Sequence, residues 1–530
     1  MFSIMEKRRC SALGCSMESR TEGSHLNAKG VLLKMKTLGR DWLYDNGTDR
    51  NPAHEPVTVL QIGEGNFLRG FFDWMIAECR KQGLYKGTIA VTQPRPGGKP
   101  KIEALAAQDG LYTLVTRGLE RGEPAERRDV VDVFGAVFDP YADWERFLAL
   151  ADNPELRVVV SNTTEAGLAY RPEAHEEGRP VQSYPGKLTL LLHRRFETFR
   201  GAPDKGLICL PCELLERNGD TLRECILRYA DDWNLPEPFK QWVREHNRFL
   251  NSLVDRIVTG YPEEAQAEAW FAEWGYRDPM LTTAEPYHLW AIEGEAELDE
   301  TLPLRKAGLN VHWVDDLKPF QMRKVRILNG AHTLMTPIGI VLGVRHVREA
   351  MQHPVVGALV RTTVEEEIVP SLPMDQDALK HYAGEVYERF LNPFIEHRLA
   401  DIAMNSLSKF KVRLLPSLLH YAEAGRPVPE GLAVGLAGLL RYYRIQPADG
   451  GYAGESLDGT VYTVRDDAAS LQLIASIWSD AKTRGQSTEE IVRRLLGAKE
   501  LWGCDLNETY GALASAVAAK MNEWERMKHE

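Results

Sequence analysis

Val57-Thr58-Val59-Leu60-Gln61-Ile62-Gly63-Glu64-Gly65-Asn66-Phe67-Leu68-Arg69 is the stretch that decides the fold. A short β-branched run ends in glycine, and Phe67 to Gln82 then repeats apolar residues at helical spacing, with Phe71, Trp74, Met75 and Cys79 near one face. Gly83 and Gly87 stop that helix, and Thr88-Ile89-Ala90-Val91-Thr92 reads as a second strand, which makes one βαβ unit. Gly63 and Gly65 fill the first two positions of a G-x-G-x-x-G turn, while Leu68 stands at the third. Such a turn presents backbone N–H groups to a pyrophosphate, where a side chain would collide. An incomplete motif is a weak signal alone, but its place at the start of the first βαβ unit strengthens it.

Alternation continues outward. Tyr112–Thr116, Val130–Phe138, Arg157–Ser161 and Gly206–Pro211 read as strands, the last two with the unbroken apolar centre of a buried parallel sheet. Val254–Thr259 and Leu289–Glu293 read as late strands. From about Asp316 the pattern is helical, through Val347–Val369, Gln376–Leu391, Glu430–Tyr443 and on to Arg526, with the glycine- and acid-rich Ala448–Asp458 read as a surface loop. The expected fold class is α/β: an extension over 1–34, expected to be disordered, with Met35 as an alternative start; a Rossmann-type dinucleotide-binding domain over 35–305; and a mostly α-helical substrate domain over 306–530. The cleft between the halves is the default ligand site.

Composition narrows the function classes. At 44% hydrophobic and 26% charged residues, the 530-residue chain is an ordinary globular protein large enough for two cores. A net charge of −12 argues against nucleic acid as partner. No apolar run has the length to span a bilayer and no signal-peptide pattern opens the chain, so no membrane partner and a cytoplasmic location are expected. Cys209 and Cys212 form a C-x-x-C without a second pair, and read as buried structural thiols; no metal site is expected. After the second strand, Thr92-Gln93-Pro94-Arg95 carries no acid for a ribose, and Arg95 suits either a 2′-phosphate or solvent, so the residues leave NAD and NADP both open. Oligomeric state stays open between monomer and small homo-oligomer.

The sharpest constellation lies in Phe320–His332. On a regular helix Lys324, Asn329 and His332 fall within an arc of roughly 140°. Reduction of a ketone leaves an alkoxide that needs a proton, which a lysine can give, and an oxyanion donor, which an asparagine amide can be. Taken alone the pattern equally fits a solvated lysine beside Arg323 and Arg326 and a satisfied core histidine, and leans towards that plainer reading.

Together these segments resemble the mannitol dehydrogenase family of polyol-specific long-chain dehydrogenases. Its K-x4-N-x2-H spacing is matched by Lys324, Asn329 and His332, its G-x-G-x-F-x-R turn by Gly63, Gly65, Phe67 and Arg69, and its Val-Asp-Arg-Ile segment by Val254–Ile257. Ser161–Gly167, Asp255–Pro262 and Lys409-Phe410 add to the likeness, which runs from Met35 to the C-terminus. The resemblance implies a metal-free, NAD-dependent dehydrogenase with Lys324 as acid/base, Asn329 in the oxyanion hole and His332 on substrate. It places the cofactor on Gly63, Glu64, Gly65, Asn66, Phe67 and Arg69 and on Asn162, Thr163 and Thr164. Among family substrates it points to a sugar acid, D-tagaturonate interconverted with D-altronate in hexuronate breakdown; fructuronate, mannitol, mannitol 1-phosphate and a non-catalytic dinucleotide-binding protein are the alternatives. A carboxylated substrate calls for a cation, for which Arg389 is the candidate, with His397 and Asp255 as further substrate contacts. Lys409 and Arg413 form an i,i+4 pair that solvent alone would explain. Where relatives carry Cys-Asp-Asn this chain has Cys212-Glu213-Leu214, so Leu214 cannot be the second oxyanion donor, and Asn218 either serves or simply makes the turn.

Overall fold

The computed structural model describes residues 24–26, 32–47 and 51–527. Its centre is a six-stranded, all-parallel sheet of β1 (Val57–Ile62), β2 (Thr88–Thr92), β3 (Phe134–Val137), β4 (Val158–Ser161), β5 (Ile208–Pro211) and β6 (Arg248–Phe249). In space the order is 3-2-1-4-5-6, the doubly wound arrangement. Strand order reverses between β1 and β4, so the crevice at their C-terminal ends is where a dinucleotide belongs. The strands are apolar along their length because helices cover both faces. One core packs Phe71, Phe72 and Trp290 against one face, and the other packs Phe147, Leu188 and Phe239 against the opposite face.

The first helix departs from the sequence expectation. It is broken, with a turn over Asn66–Arg69 and the main body over Phe72–Lys81. The break falls at Gly70, whose Cα backs onto Val258; a Cβ there would stand 2.8 Å from the Val258 methyl. The residues 130–138, read as one strand, are divided between two sheets: Glu123–Val131 pairs antiparallel with Tyr112–Glu120, and only Phe134–Val137 joins the main sheet. The late strands Ser252–Asp255 and Leu289–Glu293 pair antiparallel, and Val311–Val314 lies parallel to the latter, so extended structure persists past the domain boundary expected at 305 and ends just before the helical pattern that begins near Asp316. Helix 347–369 is interrupted at His353-Pro354, because proline removes a donor and restricts the residue before it. The stretch read as a loop at 448–458 is instead part of a three-stranded meander, Ile445–Ala448, Gly451–Glu455 and Val461–Val464. Its turns carry Asp449-Gly450 and Asp458-Gly459, with both glycines at positive φ, which is a hairpin signature.

The helical half has its own core, built from Leu334 and Ile338 against Leu436 and Leu439 and closed by Val517 and Trp524. The reading of 1–34 as disordered, and of Met35 as a start, falls largely outside the described residues; Ser24–Leu26 and Leu32–Lys34 pair antiparallel.

Candidate active site between the two halves

The dinucleotide turn is held by the strands on either side. Gly63 N–H donates to the Thr92 carbonyl at 2.8 Å, and Asn162 N–H to the Ile62 carbonyl at 3.2 Å. Gly63 has φ +129°, and a Cβ there would stand 2.8 Å from the Asn162 carbonyl oxygen, so glycine is required by conformation and by space. A Cβ on Gly65 would meet no protein atom within 4 Å, so that side of the turn opens on free space where a pyrophosphate can approach the backbone. The residues therefore fit a dinucleotide. Arg69 lies beneath the turn: buried, with Nε donating to the Glu64 carbonyl at 3.3 Å, Nη2 to Asn66 Oδ1 at 2.5 Å and Nη1 to the Met280 carbonyl. Arg69 and Asn66 thus clamp the turn, and Phe67 stacks on Phe71. The Arg69 guanidinium, Asn66 Oδ1 and the Phe67 ring thus support the turn through contacts to protein.

At the end of β4 the Asn162–Thr164 loop is shaped the same way. Glu213 accepts from Thr163 N–H at 2.8 Å, Thr163 Oγ1 at 2.9 Å and Ser161 Oγ at 3.0 Å. Burial pushes the Glu213 carboxyl up, and these donors draw it back. Asn162 Nδ2 donates to the Cys212 carbonyl at 2.8 Å. Thr163 is turned into the protein, whereas Thr164 is exposed at φ 73°, a conformation costly for a non-glycine residue and commoner at functional loops. Sequence reasoning quoted Glu213 beside Leu214 but gave it no role; its signal is its place two residues past a buried strand.

Lys324, Asn329 and His332 stand on a helix spanning 318–341 whose middle is not regular. Lys324–Leu328 is a π-turn, closed by the Asn329 N–H on the Lys324 carbonyl. The wider turn brings residues i and i+5 towards one face, so K-x4-N becomes a neighbouring pair, a closer juxtaposition than regular helical geometry allows; such turns concentrate at functional sites. Asn329, His332, Asp255, Arg389 and His397 line one cavity of about 260 Å³, with Leu328 and Phe390 among its apolar walls. A cavity of that volume accommodates a small ligand such as a monosaccharide. Lys324 reaches this cavity through Asp255: its Nζ lies 3.6 Å from Asp255 Oδ1 and donates to the Val254 carbonyl at 3.0 Å.

His332 stacks on Phe390 at 4.3 Å and meets His397 edge-on at 5.1 Å. Its Nε2 is buried without a hydrogen-bond partner. Burial first, then the charges of His397, Arg389, Arg413 and Lys409, hold the imidazole far below its ordinary pKa, so it is neutral. A buried orphan nitrogen on a cavity wall suits a substrate hydroxyl. His397 lies just before the Leu399–Ile402 helix.

Arg389, expected to meet the substrate, lines the cavity and is also held by two carboxylates. Nη1 and Nη2 donate to Asp255 at 3.1 and 2.9 Å, and Nε and Nη2 to Glu285 at 3.1 and 2.9 Å. Its charge is answered by two buried carboxylates, so it is not a free cation for a third. The pair holds the Asp255 carboxyl below its usual range despite burial, while burial keeps Glu285 above its own. Asp255 in turn faces Lys324 and Arg389. Glu285 gave no signal in the sequence, because its partner is 104 residues away.

Two other cations converge on His332. Lys409 Nζ donates to the Ile402 carbonyl at 2.7 Å, and Arg413 Nη1 to Thr333 Oγ1 at 3.1 Å. Neither forms an ion pair among the described residues, so the pair read as solvated keeps an unpaired positive charge that acts on His332 through the field. Asn218 is accounted for by structure: Nδ2 donates to the carbonyls of Pro211, Glu213 and Ser252, each at 3.0 Å, and Oδ1 accepts from Gly219 and Ser252 N–H at 2.9 Å. It makes the turn and has nothing left for an oxyanion. Leu214 is 67% exposed and equally uninvolved. Cys209 and Cys212 are buried free thiols.

Comparison with known proteins agrees with this architecture. Residues 57–306 match the mannitol dehydrogenase Rossmann domain and residues 316–525 the mannitol dehydrogenase C-terminal domain. The chain is 42% identical over 467 residues to the altronate oxidoreductase of Bacillus subtilis, covering 88% of this chain and 92% of that one. It is 42% identical over 478 residues to the altronate oxidoreductase of Shigella flexneri, covering 90% and 95%. Among solved structures it shares its fold with a substrate-free D-sorbitol dehydrogenase, at TM-score 0.72, 22% identity and 91% and 95% coverage. It also shares it with Pseudomonas fluorescens mannitol 2-dehydrogenase, solved with NAD and D-mannitol, at TM-score 0.60, 21% identity and 93% and 98% coverage. With both domain models matched in order over most of its length, the chain belongs to the mannitol dehydrogenase family.

Proposed function

We propose that the protein is a cytoplasmic, NAD-dependent oxidoreductase interconverting D-tagaturonate and D-altronate. The observation that carries this reading is the cavity lined by Asn329, His332 and Asp255, with Lys324 beside Asp255, in a chain 42% identical to altronate oxidoreductases along most of its length. The nicotinamide cofactor supplies the hydride. Lys324 gives its proton to the oxygen of the reduced ketone, and in the other direction takes it back. The Asn329 amide donates to that oxygen as charge builds on it. Asp255, fixed by Arg389, keeps a negative charge beside Lys324 and so holds the ammonium in place. Neutral His332 offers Nε2 to a neighbouring substrate hydroxyl. Lys409 and Arg413 supply the positive field for the substrate carboxylate, the part assigned from sequence to Arg389.

The test compares a carboxylated with a neutral ketose. Lys409→Met and Arg413→Met should raise KM for tagaturonate by about 10–100-fold, as expected for losing a charge-assisted hydrogen bond, and leave weak turnover of fructose unchanged. Equal effects on both ketoses would remove the carboxylate from that end of the site. Lys324→Ala should lower kcat by about 10²–10⁴-fold, and near-normal turnover would sink the proposed chemistry.

A further inference from the structure

In doubly wound sheets the adenosine ribose is read at the end of the second strand, by an acid for NAD or by a cation for a 2′-phosphate. Here that end carries no acid, and the residues that follow the strand are fixed by the protein. Gln93 is fully buried and its Nε2 donates to Asp139 Oδ1 at 2.6 Å. The Pro94 carbonyl is pinned by Lys187 Nζ and by Tyr141 Oη, each at 3.0 Å. Lys187 is itself buried, and its other bonds go to Tyr141 Oη at 2.7 Å and the Gln182 carbonyl at 2.9 Å. Arg95 is exposed, so its charge is screened by solvent and salt. The loop is therefore fixed, and Gln93 and Pro94 present no carboxylate to a ribose.

A carboxylate reaches the same place from the turn. Glu64 stands between the two glycines and is only 8% exposed. A Cβ added to Gly98, just past β2, would stand 2.9 Å from Glu64 Oε1 and 2.7 Å from the Gln93 Cβ. The Glu64 side chain thus spans from β1 to the loop after β2, against the Gly98 backbone. It forms no ion pair among the described residues: burial holds its carboxyl up, its own backbone N–H draws it partly back, and Lys101, Arg69 and Arg95 act on it through the field. A shielded carboxylate without an ion-pair partner is costly unless donors arrive with a ligand.

We propose that Glu64 selects NAD over NADP, its carboxylate accepting from the hydroxyls of the adenosine ribose and repelling a 2′-phosphate. The inference rests on the nicotinamide cofactor assigned above. It differs from the usual arrangement in that the acid comes from the glycine turn rather than from the end of the second strand.

The experiment is a fluorescence titration of the full-length protein with NADH and with NADPH, giving a dissociation constant for each. Wild type should prefer NADH. Glu64→Gln, which keeps shape and removes charge, should narrow the preference at least about tenfold, a difference of about 1.4 kcal/mol, through tighter NADPH and weaker NADH binding. Glu64→Asp, which keeps the charge, should still reject NADPH, which separates a role in selection from damage to the turn. A wild-type preference for NADH that survives Glu64→Gln unchanged would overturn this inference alone. Binding of neither nucleotide by wild type would overturn the cofactor assignment, and this inference with it.

Discussion

Replacing Arg389 by methionine separates two accounts of the site. In the structure its guanidinium is shared by Asp255 and Glu285, with its side chain 5% exposed and theirs 7% and 1%. Removing one partner of a buried ion pair costs about 3–5 kcal/mol. Here the loss leaves two carboxylates facing one site without their cation, so at least one must hold a proton. In the unfolded chain both titrate near pH 4. A raised folded value means that the folded variant binds more protons than the unfolded chain between the two values, so stability falls as pH rises. The slope is about 1.4 kcal/mol per pH unit per proton, or up to about 2.7 kcal/mol from pH 6 to pH 8. The assay is urea unfolding at both pH values for wild type, Arg389→Met and Arg389→Met/Glu285→Gln. The single variant should lose more at pH 8 than at pH 6, and the double variant should lose most of that excess. A loss below about 1 kcal/mol at both pH values, well short of the cost of a broken buried pair, with KM raised only for carboxylated ketoses, would refute the reasoning and restore Arg389 as the substrate's cation.

Further outcomes follow from the same geometry. Gly65→Ala should leave unfolding within about 0.5 kcal/mol of wild type, as for a change that meets no protein atom, yet weaken NADH binding at least about tenfold, since its Cβ enters the pyrophosphate cradle; Gly63→Ala should lose stability as well, because of its φ of +129° and the Asn162 carbonyl. His332→Ala should raise KM for the keto acid about tenfold or more, the effect of losing one buried hydrogen bond, without moving either limb of the pH–rate profile, because the ring is neutral throughout; a displaced limb would show that it titrates. Burial lowers His332, and it pushes His288 down to about 4. Each is neutral when folded and protonates on unfolding, so stability should fall as pH drops below about 6.5. Urea midpoints at pH 7 and pH 5 check this, and His288→Gln should reduce the difference.

The sequence carried the parts of the fold that rest on local pattern. Val57–Gly65 marks the turn because β-branched alternation and paired glycines have few other uses, and Arg157–Ser161 and Gly206–Pro211 mark buried strands by their apolar centres. Where a boundary depends on which sheet a strand joins, as at 130–138, a one-dimensional pattern holds no such information, and the break at Asp132-Val133 went unseen. The meander at 445–464 was missed because its glycine-acid turns outweighed its short strands. Within the site, Lys324, Asn329 and His332 were legible as spacing, but a regular helical period gave a looser arrangement than the π-turn makes. Arg389 looks free in sequence, because Glu285, which shares it, becomes a neighbour only in the folded chain. Lys409 and Arg413 show the converse, since an i,i+4 basic pair reads as solvated until its neighbours are known.

The central claim is most directly tested by mixing the protein with NADH and D-tagaturonate and following the loss of nicotinamide absorbance, beside fructuronate, fructose and fructose 6-phosphate. The account predicts rapid oxidation with tagaturonate, slow or none with the other three, and loss of the signal in Lys324→Ala. Rapid turnover of another ketose in place of tagaturonate would contradict the substrate assignment, and absence of turnover with all four would contradict the assignment of this cavity as a dehydrogenase site.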